Sequence, residues 1–563
     1  MISTAKQRLD CWLAALPEGE LRAQLLAADD AELEDRFYSE LEFGTAGLRG
    51  VLGAGTNRMN EYVVRRATQG VADVIIAQGG GSKGVCIAYD SRNMSAEFAS
   101  AAADVLSSRG VRVYLFNSLR SVPQLSFTLR RLGCMGGIMI TASHNPPQYN
   151  GYKVYGEDGG QLGPAQAAAV MERIAAHEYF GERVERDDAL VSMLSEADDE
   201  PYYEATSGLL TYRELLRRRG SELAMVYTPL HGSGYIPVTT ILCRAGITNL
   251  HVVKEQAEPD GDFPTVSVPN PEDARAYALA MELADRTGAN CILATDPDSD
   301  RLGVAVRKPT GEFTLLTGNQ IAVILIKHIL TTRESLGTLP DDGVVVKSIV
   351  STSLADAICR KYGVECLSVP TGFRFISEVI ERCSWANGKE FLFGFEESYG
   401  FLSGGFSRDK DAILAAMLVA EVCVCCMERG MTLYDYLNGI YEEYGYYRED
   451  TRSYSFDGKA GMEHIDAIMQ SLRCAPPECL ASRRVIAVED YMAGKGVGDG
   501  GEYELDFPRL NMIRLLCEGD MWVCARPSGT EPKIKFYVAL RAGSEEEART
   551  LADEAHSALS ARI

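Results

Sequence analysis

The sequence predicts an α/β protein in which three α/β units follow one another and a differently built α+β domain ends the chain. Short apolar runs alternate with amphipathic, often Ala-rich stretches, as strands and helices do in mostly parallel sheets. After about residue 455 the alternation stops, and an α+β mixture leads to the run KIKFYVAL at 533–540 and an Ala/Glu-rich final helix. The length of 563 residues agrees with several domains of about 100 to 200 residues each.

The elements are predicted as follows. Residues 1–42 form a helical arm, with apolar side chains at helical spacing around Trp12 and Leu25, and lead into a glycine-punctuated loop at 43–50. The first unit has strands at 84–90, 111–116 and 136–142 and a helix at 96–108. The second has strands at 223–229, 249–254 and 289–298 and helices at 238–245 and 274–287. The third has strands at 342–350, 364–370 and 389–395 and a helix at 353–361.

Two segments interrupt this alternation and indicate domain boundaries. One is the acidic stretch 182–200, and the other is the segment 333–342. We therefore expect four domains, at residues 1–205, 206–330, 331–455 and 456–563.

The charge balance excludes two classes of partner. With 79 acidic residues against 56 Lys and Arg, the formal net charge is −23. Nucleic acid and anionic membrane surfaces both require a broad positive field, so we expect neither as a partner. An anionic ligand must instead be held by a local cluster of cationic side chains and backbone N–H groups.

The cysteines indicate a reducing compartment. The fifteen Cys are scattered, and the C-x-x-C match at Cys423–Cys426 lies in an apolar run without a second pair that would complete a zinc site. Buried, reduced thiols are expected, which predicts a cytoplasmic protein. We expect no export signal and no membrane span, because the N-terminal sequence lacks a signal-like apolar run and Glu421 interrupts the longest apolar stretch.

The string ITASHNPPQYNGYKVY at 140–155 is the most informative segment. A predicted strand stops there at a Ser-His-Asn-Pro-Pro loop. We expect the Ser143 hydroxyl to be exposed and surrounded by N–H donors, as suits a serine that carries a phosphoryl group. A polar turn stiffened by proline is the alternative.

Alternate carboxylates follow another predicted strand, in TDPDSDR at 295–301. Three such side chains on a tight loop can bind a divalent cation and leave positions open for substrate oxygen. An EF-hand is excluded, because Arg301 stands where its glycine belongs and Arg307 where its bidentate Glu belongs. An acidic surface turn is the alternative. The candidate ligands are Asp296, Asp298 and Asp300.

Two further loops are suited to a sugar and to a phosphate. GFEESYG at 394–400 offers adjacent carboxylates and a hydroxyl, which can bond vicinal sugar hydroxyls. RPSGTEPKIKFY at 526–537 places hydroxyls and N–H groups between two cations, a cradle for a phosphate dianion. Taken alone, each is also typical of an ordinary polar turn. A dinucleotide interpretation fails, because the G-x-G-x-x-G match at 496–501 leads into a strand-like run instead of a helix, and a P-loop fails, because no string ending in G-K-S or G-K-T occurs.

In this order the four segments resemble the α-D-phosphohexomutase superfamily, which includes phosphoglucomutases and phosphomannomutases. The resemblance extends from about Phe43 to the C-terminus and includes EPDGDFPTVSVPNPE at 258–272, which is similar to the family's second-domain segment. It implies four domains around a central cleft. The implied activity is the transfer of a phosphoryl group between two positions of a sugar, in which the first domain carries a phosphoserine loop.

The resemblance also implies a role for each candidate residue. Ser143 would be the phosphoserine and, with Asp296, Asp298 and Asp300, would bind Mg²⁺. The reacting centre would be lined by Arg49, His144, Lys153 and Arg301. The sugar hydroxyls would contact Thr371, Gly372, Glu396, Ser398 and Lys410. The distant phosphate would be held by Arg526, Ser528, Gly529, Thr530 and Lys533.

The same resemblance favours particular substrates. The Glu-Glu-Ser string is similar to the glucose-preferring version of the sugar loop, so glucose 1-phosphate and glucose 6-phosphate are expected, with glucose 1,6-bisphosphate as activator. Pentose phosphates and then mannose phosphates are the alternatives on the same machinery. A sugar-phosphate sensor without activity is disfavoured, because Ser143 and all three Asp are present. For the proton acceptor, His144, Lys153 and a phosphate oxygen stay open, and no oligomeric state is predicted.

Overall fold

The computed structural model describes residues 4–43, 47–181, 184–385, 388–456, 458–528 and 532–562. Over these residues the chain forms two compact units. The first comprises Met1–Leu316, Ser377–Phe391 and Ser398–Gly430, and the second comprises Thr317–Ile376, Leu392–Glu397 and Met431–Ile563. The domain boundaries at 205, 330 and 455 stay predictions.

The N-terminal arm of the first unit is helical, as predicted. Its helices are α1 (Thr4–Ala15), α2 (Glu20–Ala27) and α3 (Asp30–Phe37). Trp12 and Phe37 are buried in a small core, where their ring centroids lie 5.7 Å apart at a steep angle. The indole also contacts Tyr62 and Phe180, which follow later in the chain, so this core anchors the arm to the first α/β region.

The first α/β region follows the arm. Its elements are β1 (Leu48–Val51), α4 (Glu61–Ala77), β2 (Val85–Tyr89), α5 (Ser95–Ser108), β3 (Val113–Phe116), α6 (Val122–Arg131), β4 (Gly136–Ile140), β5 (Tyr149–Gly156), α7 (Pro164–Ala175), β6 (Val191–Leu194), α8 (Glu200–Ser207) and α9 (Arg213–Arg219). The sheet order is β1-β5-β4-β2-β3-β6. Strands β4, β2, β3 and β6 pair in parallel, whereas β5 and β1 are antiparallel. The central parallel strands β2 and β4 are buried along almost their whole length, as is typical of parallel strands with both faces covered.

The second α/β region also belongs to the first unit. Its elements are β7 (Met225–Thr228), α10 (Tyr235–Arg244), β8 (Leu250–Val252), α11 (Ala278–Thr287), β9 (Cys291–Thr295), β10 (Leu302–Arg307) and β11 (Phe313–Leu315). The predicted helix at 274–287 begins as a 3₁₀ turn and becomes α-helical only from Ala278. The sheet order is β11-β10-β9-β7-β8, and β9, β7 and β8 pair in parallel.

The third α/β region begins the second unit, and parts of it return to the first. Its elements are α12 (Gly318–Ser335), β12 (Gly343–Ser348), α13 (Leu354–Lys361), β13 (Glu365–Val369), α14 (Phe373–Trp385), β14 (Glu390–Glu396), β15 (Gly400–Ser403), α15 (Ala412–Glu428) and α16 (Leu433–Tyr444). Within the second unit the sheet order is β13-β12-β14, with β12 and β13 parallel. A capping box between Thr317 and Gln320 starts α12.

The C-terminal region of the second unit is built differently, as predicted. Its elements are β16 (Tyr446–Ser455), α17 (Gly458–Cys474), β17 (Cys479–Leu480), β18 (Arg483–Asp490), β19 (Lys495–Gly498), β20 (Gly501–Glu504), β21 (Ile513–Cys517), β22 (Met521–Pro527), β23 (Lys533–Ala542) and α18 (Glu545–Ser560). Its sheet is antiparallel in the order β16-β23-β22-β21-β18-β19-β20. Side chains of α17 and α18 bury one face of this sheet around Phe536.

The sheets place two of the predicted loops at strand ends. The segment that holds Ser143 follows β4, and the acidic segment that begins at Asp296 follows β9. Both strands are central members of sheets that are partly parallel, where a loop at the carboxyl end of a strand lies at the edge that binds ligands. The α/β fold class is confirmed. Among the described residues, the helices lack the combination of length and apolar character that a membrane span requires.

Candidate active site

Ser143 lies at the centre of a buried polar cluster in the first unit. Its backbone is left-handed, with φ of 51°. Its hydroxyl donates a 2.7 Å hydrogen bond to Asp296 Oδ2, and Nδ1 of His144 lies 3.2 Å from the same hydroxyl oxygen. The structure therefore brings the predicted phosphoserine, a carboxylate of the acidic loop and an imidazole together around one oxygen.

The expectation that Ser143 is exposed is wrong. The residue is only 3% exposed, because the acidic loop of the second α/β region lies against it, as the hydrogen bond to Asp296 shows. The sequence around the loop after β4 indicates only its local structure. The residue that covers Ser143 lies 153 positions further along the chain. A buried hydroxyl is better protected from water than an exposed one, which disfavours hydrolysis of any group that this oxygen carries.

Asp296, Asp298 and Asp300 converge as the alternation predicts. One carboxylate oxygen of each lies within 4.8 Å of the others, and all three residues are buried. Oδ1 of Asp296 accepts hydrogen bonds from the N–H groups of Asp300 and Arg301, at 3.1 and 3.0 Å, which closes the loop on itself. Among the described residues, Oδ1 of Asp298 and Oδ1 of Asp300 are buried without a hydrogen-bond partner. Unpaired buried carboxylate oxygens are costly, and a hard divalent cation would satisfy them.

The electrostatics of the triad point the same way. Burial and the neighbouring charges of Asp298 and Asp300 raise the pKa of Asp296 well above its usual value. Burial and the charge of Asp298 likewise raise the pKa of Asp300. Burial opposes ionisation of Asp298 too, but Lys153 and a hydrogen bond with Asp296 lower its pKa below the usual value. Three carboxylates this close repel one another, so the donor set fits a divalent metal ion.

Two lysines provide part of the positive charge. Nζ of Lys153, on β5, lies 2.8 Å from Asp298 Oδ2, and Nζ of Lys410 lies 3.1 Å from Asp300 Oδ2. Lys410 also contacts Asp409 at 3.0 Å. The family resemblance predicts that Lys410 contacts the substrate. In the structure its side chain contacts the acidic loop.

The remaining predicted residues of the reacting centre belong to the same cluster. Arg49, on β1, donates to Asn145 Oδ1 at 3.0 Å, and Arg301 pairs with Glu272 at 2.6 Å. Burial, followed by the charges of Arg301 and Arg49, lowers the pKa of His144 well below its usual value. The imidazole is therefore neutral near pH 7.

The predicted sugar loop lies mainly in the second unit. Glu396 Oε1 accepts a 2.6 Å hydrogen bond from the N–H group of Gly372, which follows Thr371 in the loop between β13 and α14. The φ of +119° at Gly372 lies in the region that favours glycine. The structure thus brings Glu396 to the Thr-Gly loop, whereas Ser398 belongs to the first unit.

The predicted phosphate loop is a hairpin, also in the second unit. β22 and β23 are antiparallel, with Pro527 opposite Ile534, and the N–H group of Ser528 donates to the carbonyl of Lys533 at 2.7 Å. Arg526 lies near the end of β22 and Lys533 begins β23. The predicted residues Gly529 and Thr530 lie outside the described residues.

Sequence reasoning missed several residues around this cluster. Oδ2 of Asp409 accepts hydrogen bonds from the hydroxyl of Tyr155 and the amide of Gln161. Its Oδ1 accepts a hydrogen bond from Nζ of Lys410. Glu272 pairs with Arg301 and lies in the segment 258–272, which the resemblance had marked without assigning a role. Its proximity to Arg301 depends on tertiary structure, so the sequence held no local signal for the pair.

Comparisons with known proteins agree with this architecture. Models of the α/β/α domains I, II and III of phosphoglucomutase/phosphomannomutase match residues 40–180, 200–311 and 317–444. A phosphoglucomutase of Staphylococcus haemolyticus is 38% identical over 520 residues, which cover 91% of this chain and 93% of the relative. A phosphoglucomutase of Staphylococcus saprophyticus is 35% identical, with 95% and 97% covered. The crystal structure of parafusin, a phosphoglucomutase of Paramecium, has the same fold, with a TM-score of 0.69 at 17% identity, covering 93% of this chain and 95% of parafusin.

The fold and these matches define the class of protein as an enzyme of the isomerase type that moves a phosphoryl group within a sugar phosphate. The chain belongs to the phosphoglucomutase/phosphomannomutase family of the α-D-phosphohexomutase superfamily. The resemblance drawn from the sequence motifs is confirmed.

Proposed function

We propose that this protein interconverts glucose 1-phosphate and glucose 6-phosphate through phosphorylated Ser143 and a bisphosphorylated sugar. The observation that carries the proposal is the 2.7 Å hydrogen bond from Ser143 Oγ to Asp296 within a triad of buried carboxylates. Relatives named phosphoglucomutase, 35 to 38% identical over most of the chain, support the choice of glucose.

The proposed reaction has two transfers. First, a free hydroxyl of the sugar monophosphate attacks the phosphorus on Ser143, the bond to Oγ breaks, and the sugar becomes a bisphosphate. The bisphosphate then turns over, and Oγ attacks the other phosphoryl group to regenerate phosphoserine and release the isomer. In the first transfer the attacking sugar hydroxyl gives up its proton and Oγ takes one up, and in the second Oγ gives up its proton and the departing sugar oxygen takes one up. His144 is placed to pass a proton to and from Oγ, since its Nδ1 lies 3.2 Å from Oγ.

Charge stabilisation is the main task of the other residues, because phosphoryl transfer depends chiefly on positioning and on neutralising charge. We assign Arg49, Lys153 and Arg301 to the oxygens of the transferring group. Asp296, Asp298 and Asp300 would hold Mg²⁺ together with an oxygen on Ser143, and this ion when bound would act as a Lewis acid on the phosphoryl group. Glucose 1,6-bisphosphate would act as activator by passing one phosphoryl group to an unphosphorylated Ser143.

Substrate recognition is assigned to the other predicted loops. Glu396, with Thr371 and Gly372, would bond the sugar hydroxyls, and Ser398 and Lys410 are also assigned to the sugar. The hairpin would hold the phosphate that is not reacting, through Arg526, Ser528, Gly529, Thr530 and Lys533. Free thiols, many of them buried, support a cytoplasmic location.

The substrate assignment is tested by measuring kcat/KM on glucose 1-phosphate, mannose 1-phosphate and ribose 1-phosphate, each with its bisphosphate activator. We expect glucose 1-phosphate to be preferred over the other two by at least about 10-fold, which corresponds to about 1.4 kcal/mol of transition-state binding. A preference for ribose 1-phosphate or mannose 1-phosphate would replace glucose as the substrate while leaving the phosphoserine chemistry in place.

The anchoring role of the hairpin predicts the effect of Lys533→Ala. Each charge-assisted hydrogen bond to the phosphate dianion is worth about 1.5 to 3 kcal/mol, so KM should rise about 10- to 100-fold. The rise should be similar in the forward and reverse directions, because both monophosphates use the same anchor in turn. Steady-state kinetics in both directions measure it.

Lys495→Ala is the matched control for that variant. Lys495 is an exposed lysine on β19 of the same sheet and pairs with Glu502 on the neighbouring strand. The control removes the same charge from the domain, so a KM change caused by overall charge would appear in both variants. An unchanged KM for Lys533→Ala would show that the hairpin does not anchor substrate.

A further inference from the structure

The backbone of Ser143 is held in an unusual conformation by side chains. A φ of 51° is uncommon for a residue other than glycine and costs free energy unless the surroundings fix it. The N–H group of Ser143 donates to Thr141 Oγ1 at 2.8 Å. Its carbonyl accepts from Nε and Nη2 of Arg92, at 3.2 and 2.5 Å. Both polar backbone groups of the residue are therefore bonded to side chains.

Asp90 joins these two side chains. Its Oδ2 accepts a 2.6 Å hydrogen bond from the Thr141 hydroxyl and lies 3.5 Å from Nε of Arg92. Its Oδ1 accepts from the N–H group of Arg92 at 3.0 Å and from the hydroxyl of Ser95 at 2.8 Å. Asp90, Arg92 and Thr141 are 2, 3 and 1% exposed, so water does not compete for these bonds.

Arg92 extends the same support along the loop. Its Nη1 donates at 2.9 Å to the carbonyls of both Pro146 and Tyr149, and its Nη2 also contacts the carbonyl of Asn145. One guanidinium thus gathers carbonyl groups from the loop that begins at Ser143. A planar fork of five N–H donors is suited to this task, and an ammonium group is not.

The segment 258–272 secures Arg92 from the other side. The Arg92 guanidinium carbon lies 5.0 Å from the ring centroid of Phe263. The neighbouring Asn93 donates to Asp262 Oδ1 at 2.7 Å. These contacts come from the second α/β region, which also supplies the acidic loop. The same region therefore holds both the support of Ser143 and the carboxylates that face its hydroxyl.

We propose that Asp90, Arg92 and Thr141 form a positioning set that fixes Ser143 in its left-handed conformation and thereby aims Oγ at the acidic loop. The inference rests on the proposed role of Ser143 as the phosphoryl carrier. Without the Thr141 hydroxyl, the N–H group of Ser143 loses its acceptor in a buried place, and the backbone relaxes toward negative φ. Oγ then leaves the position 2.7 Å from Asp296. Misplacement of a reacting atom lowers kcat steeply, because the reaction depends on alignment.

The test compares Thr141→Val with Thr141→Ser. Valine keeps the volume and removes the hydroxyl, whereas serine keeps the hydroxyl. Thr68→Val is the matched control: Thr68 is buried in the same region and its hydroxyl bonds the carbonyl of Val64 and the hydroxyl of Tyr152, away from the Ser143 loop. For each variant, three quantities are measured: kcat, the rate at which glucose 1,6-bisphosphate phosphorylates Ser143, and the Kd of glucose 6-phosphate for the unphosphorylated protein.

We expect Thr141→Val to lower kcat and the phosphorylation rate together by about 10- to 100-fold, with the Kd within about twofold. Thr141→Ser should recover activity to within about threefold of the parent, and Thr68→Val should match the parent. A purely structural role would lower the melting temperature but leave kcat per folded molecule unchanged, and that result would overturn the proposal. So would a Thr141→Ser variant as impaired as Thr141→Val.

Arg92→Lys is a second test of the positioning set, for the case in which Thr141→Val does not fold. Lysine keeps the charge beside Asp90 but cannot bond several carbonyls at once, so kcat should fall at least about 10-fold. Parent-like kcat for Arg92→Lys would overturn the proposal. An inactive parent protein would instead contradict the proposed function, so the two failures are distinguishable.

Discussion

Ser143→Ala should lower kcat by at least about 10⁴-fold, the scale seen when a covalent nucleophile is removed. The lost oxygen is the proposed carrier of the phosphoryl group. His144 remains in the variant, but it does not occupy the position of that oxygen and cannot replace it as phosphoryl acceptor. The variant should fold, because alanine fills most of the space of serine and the hydroxyl bonds chiefly to groups that a cation also satisfies. Steady-state kinetics measure the loss.

Mass measurement makes this prediction specific. The parent protein incubated with glucose 1,6-bisphosphate should gain one phosphate that maps to Ser143, and the variant should gain none. Ser107→Ala is a suitable control, since Ser107 is a buried serine of α5 whose hydroxyl bonds the carbonyl of Asp104. Phosphate found reproducibly on another residue of the parent would contradict the assignment of Ser143.

The local parts of the site could be predicted from the sequence because each lies within one short segment. The alternation of Asp296, Asp298 and Asp300 after an apolar strand directly determines that three carboxylates converge on one loop. The hairpin at 526–537 was equally local, because its strands are adjacent in the chain. In both cases the spacing of a few residues decides the geometry.

The parts that could not be predicted depend on contacts between distant segments. The burial of Ser143 comes from a loop near residue 296, and the support of its backbone comes from Arg92, 51 residues earlier. A signal for Arg92 was present, since Asp90 ends the predicted strand 84–90 and Arg92 follows it. What the sequence could not supply was the strand order, which makes β2 and β4 parallel neighbours and brings those two strand ends together.

Removal of the metal should also lower activity strongly, because the cluster around Ser143 carries a large negative charge. Lys153 and Lys410 contact Asp298 and Asp300, yet phosphorylation of Ser143 would add about 1.5 to 2 negative charges to the same cluster. Arg301 already pairs with Glu272, so the two lysines and Arg49 would have to compensate three carboxylates and a phosphate at once. We therefore expect the phosphorylated state to need a divalent cation.

Excess chelator should lower activity at least about 10³-fold, as expected when a charge-neutralising ion is lost, and added Mg²⁺ should restore it. Asp298→Asn, which keeps the volume and removes one charge, should raise the Mg²⁺ concentration needed for half-maximal activity at least about 10-fold. Asp285→Asn is the charge-matched control, because Asp285 is exposed and pairs with Arg307. Binding is followed independently as stabilisation of the parent by Mg²⁺, worth about 2.7 kcal/mol at 100 times the Kd. Full activity of the parent in excess chelator would rule out the metal, and equal Mg²⁺ dependence in both variants would remove Asp298 from the ligand set.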